Sequence, residues 1–503
     1  MSVSLPPPTV PTESGAAEIR AQPPVRSLKF EQYTLELHGA DVVSDALYDG
    51  IVEVSTSLSD VVRRLSAACY AAGYPACQIR YARVGNTVYV LLDTRGVDRV
   101  MGAPHIAKYF RGLEGDDSLT VHSLEPRRFL ATMHADRAGT VAQPVIKDGD
   151  DGDTVMDIAS VESEVASKLS AEFGNPGTRF VSRYLGSFNA GIGSVWGDEI
   201  SLGWREGFSQ IGSNANDGDY HELNLVVSRV TPWGIFGGGA RKVDYDFAFQ
   251  GFRIDADIRV YDVRWLYPWL ASYRQRLITE VKFDRNDSTT QTVQGTRGEL
   301  LDERYNSAEL SLLYSRKDAV FGRALQTDAS LSYRQGLKDQ VAATTNAGLD
   351  YTYLRPVATL KYPIFADWQL ATTFAAQFSD DRMPQQQQWV LGGFNNLTAF
   401  LPGSAAGDEG ALGRIELSAP PLKRLGMRFT PTLLLEGGTA RSNEGLNEVR
   451  LADVGLRLDV TFGEYVDLSM AYAEDLVSDN LRLDETARDD LTADLYFKLR
   501  MQF

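Results

Sequence analysis

The sequence predicts a transmembrane β-barrel of about sixteen antiparallel strands, preceded by two small α+β domains. Three observations predict it. Leu491, Ala493, Leu495, Phe497, Leu499, Met501 and Phe503 alternate with Thr492, Asp494, Tyr496, Lys498, Arg500 and Gln502, a strict period of two that is long enough to cross a bilayer as a tilted strand. Strand-like segments recur about every twenty residues from about 163 to the end. No run of eighteen or more apolar residues occurs among the 503, which excludes helical spans; Leu65 to Cys77 comes nearest and is broken by Gly73 and Pro75.

Residues 1–27 are rich in Pro, Ser, Thr and Ala and lack periodicity, so a flexible extension is expected there, acting as a tether or plug, with at most one helical turn around Ala16 to Gln22. Met1 to Pro8 has neither a basic nor an apolar signal region, and the rest of the chain favours removal of an export signal over a chain that is not exported. The first α+β domain is placed at 28–95. Tyr33 to Leu37 alternates as a strand; Leu58, Val61, Val62, Leu65 and Cys69 then share one helix face, with Ser57 or Ser59 as N-cap. Gly73 stops this helix, and Cys77 to Val84 with Thr87 to Leu92 forms a hairpin around Gly85 and Asn86. Cys69 and Cys77 are the only cysteines; they either pair in an oxidising compartment or are two small buried thiols.

The second domain is placed at 96–162, with a helix over Ser123 to His134 and a hairpin of Val141 to Ile146 with Thr154 to Ala159. The acidic stretch from Lys147 to Asp153 lacks the twelve-residue calcium-loop spacing and reads as an exposed turn. The barrel is placed at 163–503. Its strands are expected near 163–173, 178–190, 198–208, 219–231, 234–247, 252–266, 272–285, 302–315, 320–335, 348–362, 367–393, 410–418, 425–440, 449–462, 465–476 and 490–503. Short turns such as Pro232 to Gly234 and Tyr267 to Trp269 alternate with longer polar loops such as Asn286 to Glu299, and Trp233, Trp265, Trp269 and Trp368 lie beside turns as an interfacial girdle would.

Several stretches carry a resemblance. The helix that ends at Gly73 and Tyr74 before a hairpin resembles the POTRA module. Phe173 to Arg179 with Gly186 to Asn189 looks like the first hairpin of a POTRA-bearing barrel; Ser228 to Gly234, Leu391 to Gly393, and Gly407 to Gly410 leading into Gly413 to Leu417 follow in that family's order. Phe503 is similar to the C-terminal assembly signal of bacterial outer-membrane proteins. Together they resemble the two-partner secretion transporters (TpsB), the haemolysin-activator class, over nearly the whole chain.

The resemblance implies a bacterial outer-membrane protein with its N-terminal domains in the periplasm, which exports an unfolded exoprotein, a β-helical one, through its barrel. Outer-membrane lipids and the barrel assembly machinery are its implied partners. It also implies a loop, about 394–409, folded into the lumen with the motif Leu397, Thr398, Ala399 and Phe400 at its tip, and Asp408 and Gly410 at its return. Where the family has V-R-G-[YF], this chain has Thr398 for the arginine and Ala399 for the glycine. The implied wall partner falls at Glu436, Gly437 and Gly438, so Glu436 must be solvated, protonated or paired with something else. Alternative functions on the same barrel are an outer-membrane protein or lipid assembly factor, and a repurposed pore or structural barrel without cargo.

Other chemistries find no support in the residues. A net charge of −17 argues against nucleic acid. The five histidines, His38, His105, His122, His134 and His221, have no metal-ligand spacing, and Gly237 to Lys242 lacks the phosphate-loop frame. Neither an enzyme nor a cofactor is expected.

Overall fold

The structure is a computed structural model that describes residues 13–42, 44–149, 153–162, 167–178, 181–211, 218–249, 252–294, 296–337, 348–365, 367–443, 448–481 and 495–503. It divides into two compact units, residues 1–135 with 140–163, and residues 136–139 with 164–503.

The first unit holds two modules. In the first, β1 (Pro24–Phe30), β2 (Tyr33–Gly39), β3 (Cys77–Val84) and β4 (Thr87–Thr94) form a sheet of order β1-β2-β4-β3 in which β2 and β4 run parallel. Helices α2 (Asp45–Val54) and α3 (Leu58–Ala71) cover one face, burying Leu35, Leu37, Tyr48, Ile51, Val61, Leu65, Val88 and Val90. The other face is covered by α1 (Glu13–Arg20), whose Ala16 and Ile19 pack on Ala82 and Leu91. Part of the stretch expected to be a flexible extension is therefore a docked helix: Ala16 and Ile19, three apart, form a short apolar stripe that only the sheet face can cover. Residues 1–12 lie outside the described residues.

Helix α3 begins with a side-chain N-cap: Ser57 Oγ accepts from the Asp60 amide at 3.2 Å, and the Asp60 carboxylate accepts from the amide of Thr56, just before the cap, at 3.2 Å. Arg63 and Arg64 also bond that carboxylate and hold it down to about 2. The helix ends in a Schellman turn, with Gly73 at φ +97° donating to the Tyr70 carbonyl and Tyr74 donating to the Cys69 carbonyl. Past this turn the chain returns to β3, where Cys77 is bonded to Cys69 at 2.08 Å. The Gly73 carbonyl then accepts from the amide of Val121 at 2.7 Å, tying the turn to the second module.

That second module pairs β5 (Arg99–Gly102), β6 (Thr140–Asp148) and β7 (Thr154–Glu162) in the order β5-β7-β6, and also holds α4 (Pro104–Ala107) and α5 (Val121–Arg137). Of the acidic turn, Asp148 pairs with Arg95 and Asp153 with Arg99; residues 150–152 lie outside the described residues.

The second unit is a closed antiparallel barrel of sixteen strands. They are β8 (Lys168–Gly174), β9 (Leu185–Gly193), β10 (Asp198–Gly207), β11 (Tyr220–Thr231), β12 (Gly234–Phe249), β13 (Phe252–Ala271), β14 (Gln275–Gln294), β15 (Thr296–Val320), β16 (Arg323–Leu337), β17 (Thr352–Pro363), β18 (Gln369–Gln377), and, beyond a short internal hairpin of β19 (Trp389–Leu391) and β20 (Ala405–Gly407), β21 (Glu409–Ser418), β23 (Met427–Arg441), β24 (Val449–Phe462), β25 (Val466–Asp479) and β26 (Leu495–Gln502). The short β22 (Leu422–Arg424) continues β21 past Pro420 and Pro421 on the same partner, β23, so it adds no wall position. β26 closes on β8, with Phe503 and Leu169 exchanging main-chain hydrogen bonds. Asn175 extends this seam: its side chain accepts from the Phe497 amide and donates to the Leu495 carbonyl. Of the alternating C-terminal stretch, 491–494, including Asp494, lies outside the described residues.

Alternation orients the wall. On β11 Leu223, Leu225 and Val227 face outward and are exposed, as are Leu433 and Leu435 on β23, whereas Thr432, Leu434 and Glu436 face inward and are buried. The short turns carry large apolar tips: Trp196, Trp233, Tyr273, Phe321, Phe365, Leu425 and Tyr465 are all at least half exposed, a belt broader than tryptophan alone. The segment Asn286 to Glu299, expected to be a polar loop, belongs to β14 and β15. Cross-strand hydrogen bonds continue through its polar residues, because ladder pairing does not depend on apolar side chains. Among the described residues no helix is long and apolar enough to cross a membrane.

Replacing Cys69 and Cys77 with alanine removes the constraint on a loop of eight residues, and should lower the stability of the N-terminal unit by about 2.5 kcal/mol in urea unfolding followed by a probe on that unit. Because the Asp60 carboxyl is depressed by folding, its contribution is present above about pH 4 and lost as pH falls toward 2. Asp60→Asn should therefore destabilise the unit at neutral pH and lose that difference near pH 2 in the same unfolding assay.

Candidate functional site: the inward loop and its seat on the wall

Strand β18 ends at Gln377 instead of running to 393 as expected. Ser379 to Pro384 breaks the alternation, and Pro384 has no amide to give a ladder. The chain turns inward, so the folded segment starts earlier than the predicted 394 and runs from about 378 to 408. It forms one 3-10 turn at Gln385–Gln387 and then the β19–β20 hairpin.

Its return is held by Asp408, which is wholly buried and accepts from the amides of Met383 and Asn443, both at 2.8 Å, and from Ser442 Oγ at 3.1 Å. Gln377 donates to the carbonyls of Gln387 and Asp408. At Gly410 a Cβ would lie 2.2 Å from the Trp389 ring and 2.3 Å from the Thr439 carbonyl, so only glycine lets the hairpin press on the wall there. Leu391 packs likewise on Gly438.

The tip is a tight turn in which the Phe400 amide donates to the Leu397 carbonyl, with Leu397 at φ +64°. Leu397, Thr398, Ala399 and Phe400 are all buried, the apolar three among Leu391, Leu412, Leu451 and Ala473. Two successive amides leave the turn toward the wall: Thr398 N donates to Glu436 Oε2 at 2.8 Å and Ala399 N to Asp453 Oδ2 at 2.8 Å. Consecutive main-chain donors make a small anion-binding concavity. Glu436 on β23 and Asp453 on β24 are register partners and are 2% and 0% exposed. Tyr496 of β26 donates to the Phe400 carbonyl at 2.9 Å.

Glu436 is therefore paired. Arg414 of β21, its register partner on the other side, brings Nη1 to 3.2 Å from Glu436 Oε1. Thr398 and Ala399 are tolerated at the tip because its hydrogen bonds to Glu436 and Asp453 come from their peptide groups, not their side chains.

The root of the loop meets a different wall. Gln387 donates to the Tyr305 hydroxyl of β15 at 3.1 Å, and Met383 packs among Tyr305, Leu349, Tyr351 and Tyr353. The loop thus touches inward faces from β15 round to β26.

The other predicted residues lie elsewhere: Gly73, Tyr74, Cys69 and Cys77 are in the first module, and Phe503 closes the last strand. Lys498 pairs with Glu172 across the seam. Sequence reasoning missed Asp453, Tyr496, Tyr305 and the role of Arg414. Alternation already put Tyr496 on the inward side, and Arg414 stood inside a motif, but the register that sets Glu436 between Arg414 and Asp453 is not a sequence pattern.

A family model described as haemolysin secretion/activation protein ShlB/FhaC/HecB matches residues 152–458, more than half of the chain. The chain belongs to this family. It is a two-partner secretion outer-membrane transporter. Among solved structures it is similar to CdiB from Escherichia coli (15% identity, all of this chain and 94% of that one, TM-score 0.72) and to CdiB from Acinetobacter baumannii (12%, 96% and 90%, 0.65). It is also similar to BamA from Haemophilus ducreyi lacking POTRA domains 1–3 (12%, 95% and 100%, 0.54). These likenesses are of fold. No curated protein matches the chain.

Asp408→Ala removes an acceptor from three donors at the loop's return, each such bond to a charged group contributing about 1.5–3 kcal/mol. Protease should then cut segment 378–408 at least several-fold faster, while the barrel keeps its folded mobility on an unheated gel.

Proposed function

We propose that this transporter exports an unfolded exoprotein from the periplasm to the cell surface through its barrel, once the inward loop leaves its seat. The observation that carries the reading is that loop: it crosses the lumen of a family member, yet polar attachments at root, tip and return hold it, and no covalent bond does. Such a plug closes the pore at rest and is removable.

The N-terminal modules stand in the periplasm, where cargo first meets the protein. Among the described pairings β1, β3, β5 and β6 are sheet edges. An extended cargo segment adds to such an edge through main-chain hydrogen bonds, which demand little of its sequence. Translocation needs no nucleotide; folding of a repetitive β-helical cargo outside supplies direction. Lipids surround the exposed outward leucines and valines, and the assembly machinery inserts the barrel through its last strand.

Co-expression of an exoprotein encoded beside this chain, with and without the barrel, tests the reading. Export predicts surface-exposed, protease-accessible cargo only when the barrel is present. Cargo retained in the periplasm beside a correctly inserted barrel would refute it and favour an assembly factor or an unselective pore, which a large steady conductance would identify.

A further inference from the structure

The inward loop carries no charge where it needs one. From Met383 to Gly407 the sequence holds no Asp, Glu, Lys or Arg. Its tip nevertheless sits on two buried carboxylates, Glu436 and Asp453, side by side on adjacent strands. Two amides give each carboxylate one hydrogen bond, and no side chain of the tip adds to them. Removing two carboxylates from water costs far more than two such bonds return, unless a cation or a proton is buried with them.

The cation is on the wall. Arg414 is 6% exposed and reaches Glu436 at 3.2 Å on one side and Glu416 at 2.6 Å on the other. Glu416 is also bonded by Arg457 at 2.6 Å, Arg457 by Asp459 at 2.9 Å, and Asp459 accepts from Ser469 at 2.6 Å. A ladder of alternating charge thus runs along the inward face from the loop's seat, and it fixes the guanidinium from behind. Since Arg414 lies in β21, it stays in place when the loop leaves.

We infer that Arg414 is a positioning residue for pore closure: it supplies, from the barrel wall, the positive charge beside Glu436 that lets the seat receive an uncharged loop tip. The loop lock is therefore split, with donors on the mobile part and the cation on the fixed part. A tip without charge leaves its seat without dragging an ion through the lumen, and the wall it exposes remains partly compensated.

This has a consequence opposite to what the tip sequence alone suggests. An arginine placed at Thr398 in the otherwise unchanged protein does not tighten the lock, because Glu436 already has its cation; the second guanidinium meets the first.

The test is single-channel recording of the full-length protein in planar bilayers, without cargo, so that its outcome is separate from that of the export experiment. Arg414→Gln should raise the open probability at least about tenfold, about 1.4 kcal/mol, and Arg414→Lys should raise it less. Adding Thr398→Arg to Arg414→Gln should restore closure, since an arginine at the tip lies beside the same carboxylate; Thr398→Arg alone should not lower the open probability. A barrel that stays closed as Arg414→Gln, or a double variant as open as the single one, overturns the inference, because a merely structural arginine would not be replaceable from the loop. Should Arg414→Gln fail to insert, the triple variant Arg414→Gln, Glu436→Gln, Asp453→Asn removes both charges of the seat along with its cation. It should insert and stay closed, and an open or uninserted triple variant overturns the charge account.

Discussion

The pairing of β26 with β8 is the constraint on which the rest of this molecule depends. A strand in hydrocarbon has no water for its amides and carbonyls, so a sheet crosses a bilayer only if it has no edge. Closure satisfies the first and last strands together, through the ladder from Lys498 and Gly174 to Gln502 and Ser170 and through the Asn175 side chain beyond it. Once closed, the wall has two environments, an outer face that must be apolar and an inner face free to be charged. Every contact between the loop and the wall described above is on the inner one.

Closure also creates the problem that the inward loop solves. A sixteen-stranded barrel is too wide for wall side chains alone to fill, and left empty it would breach the membrane. The loop fills it with Leu391, Leu397 and Phe400 as an apolar body and with main-chain donors as its points of attachment. Its tip combines a buried apolar cluster with a few charge-assisted hydrogen bonds. The Asp408 clamp at its return and the Tyr305 contact at its root keep the segment in register without making the tip immovable.

The first unit shows a different economy. The sheet of its first module is covered on both faces, by α2 and α3 on one side and α1 on the other, and the Cys69–Cys77 bond fastens the end of α3 to the strand that follows. Small modules have little core, and here a side-chain cap, a Schellman turn and a disulfide add to it. The Gly73 carbonyl joins the turn that ends α3 in the first module to the first residue of α5 in the second.

By itself the sequence determined what depends on short-range periodicity. Alternation identified all sixteen strands in order, helical spacing placed α3, and Gly73 marked its end. The resemblance in turn located the loop tip at Leu397 to Phe400. It missed what periodicity does not carry. α1 has too few apolar residues to look like a docked helix, and β18 seemed to continue because Trp389 to Leu391 is again a strand, though in the lumen. The chemistry of the seat was the least legible part. Arg414, Glu436 and Asp453 are far apart in sequence and come together only because three strands pair in one register, and a slip of one residue would turn each outward. Tertiary structure alone decided that the charge belongs to the wall and the donors to the loop, since main-chain amides have no sequence signature and their direction is set by the turn that holds them.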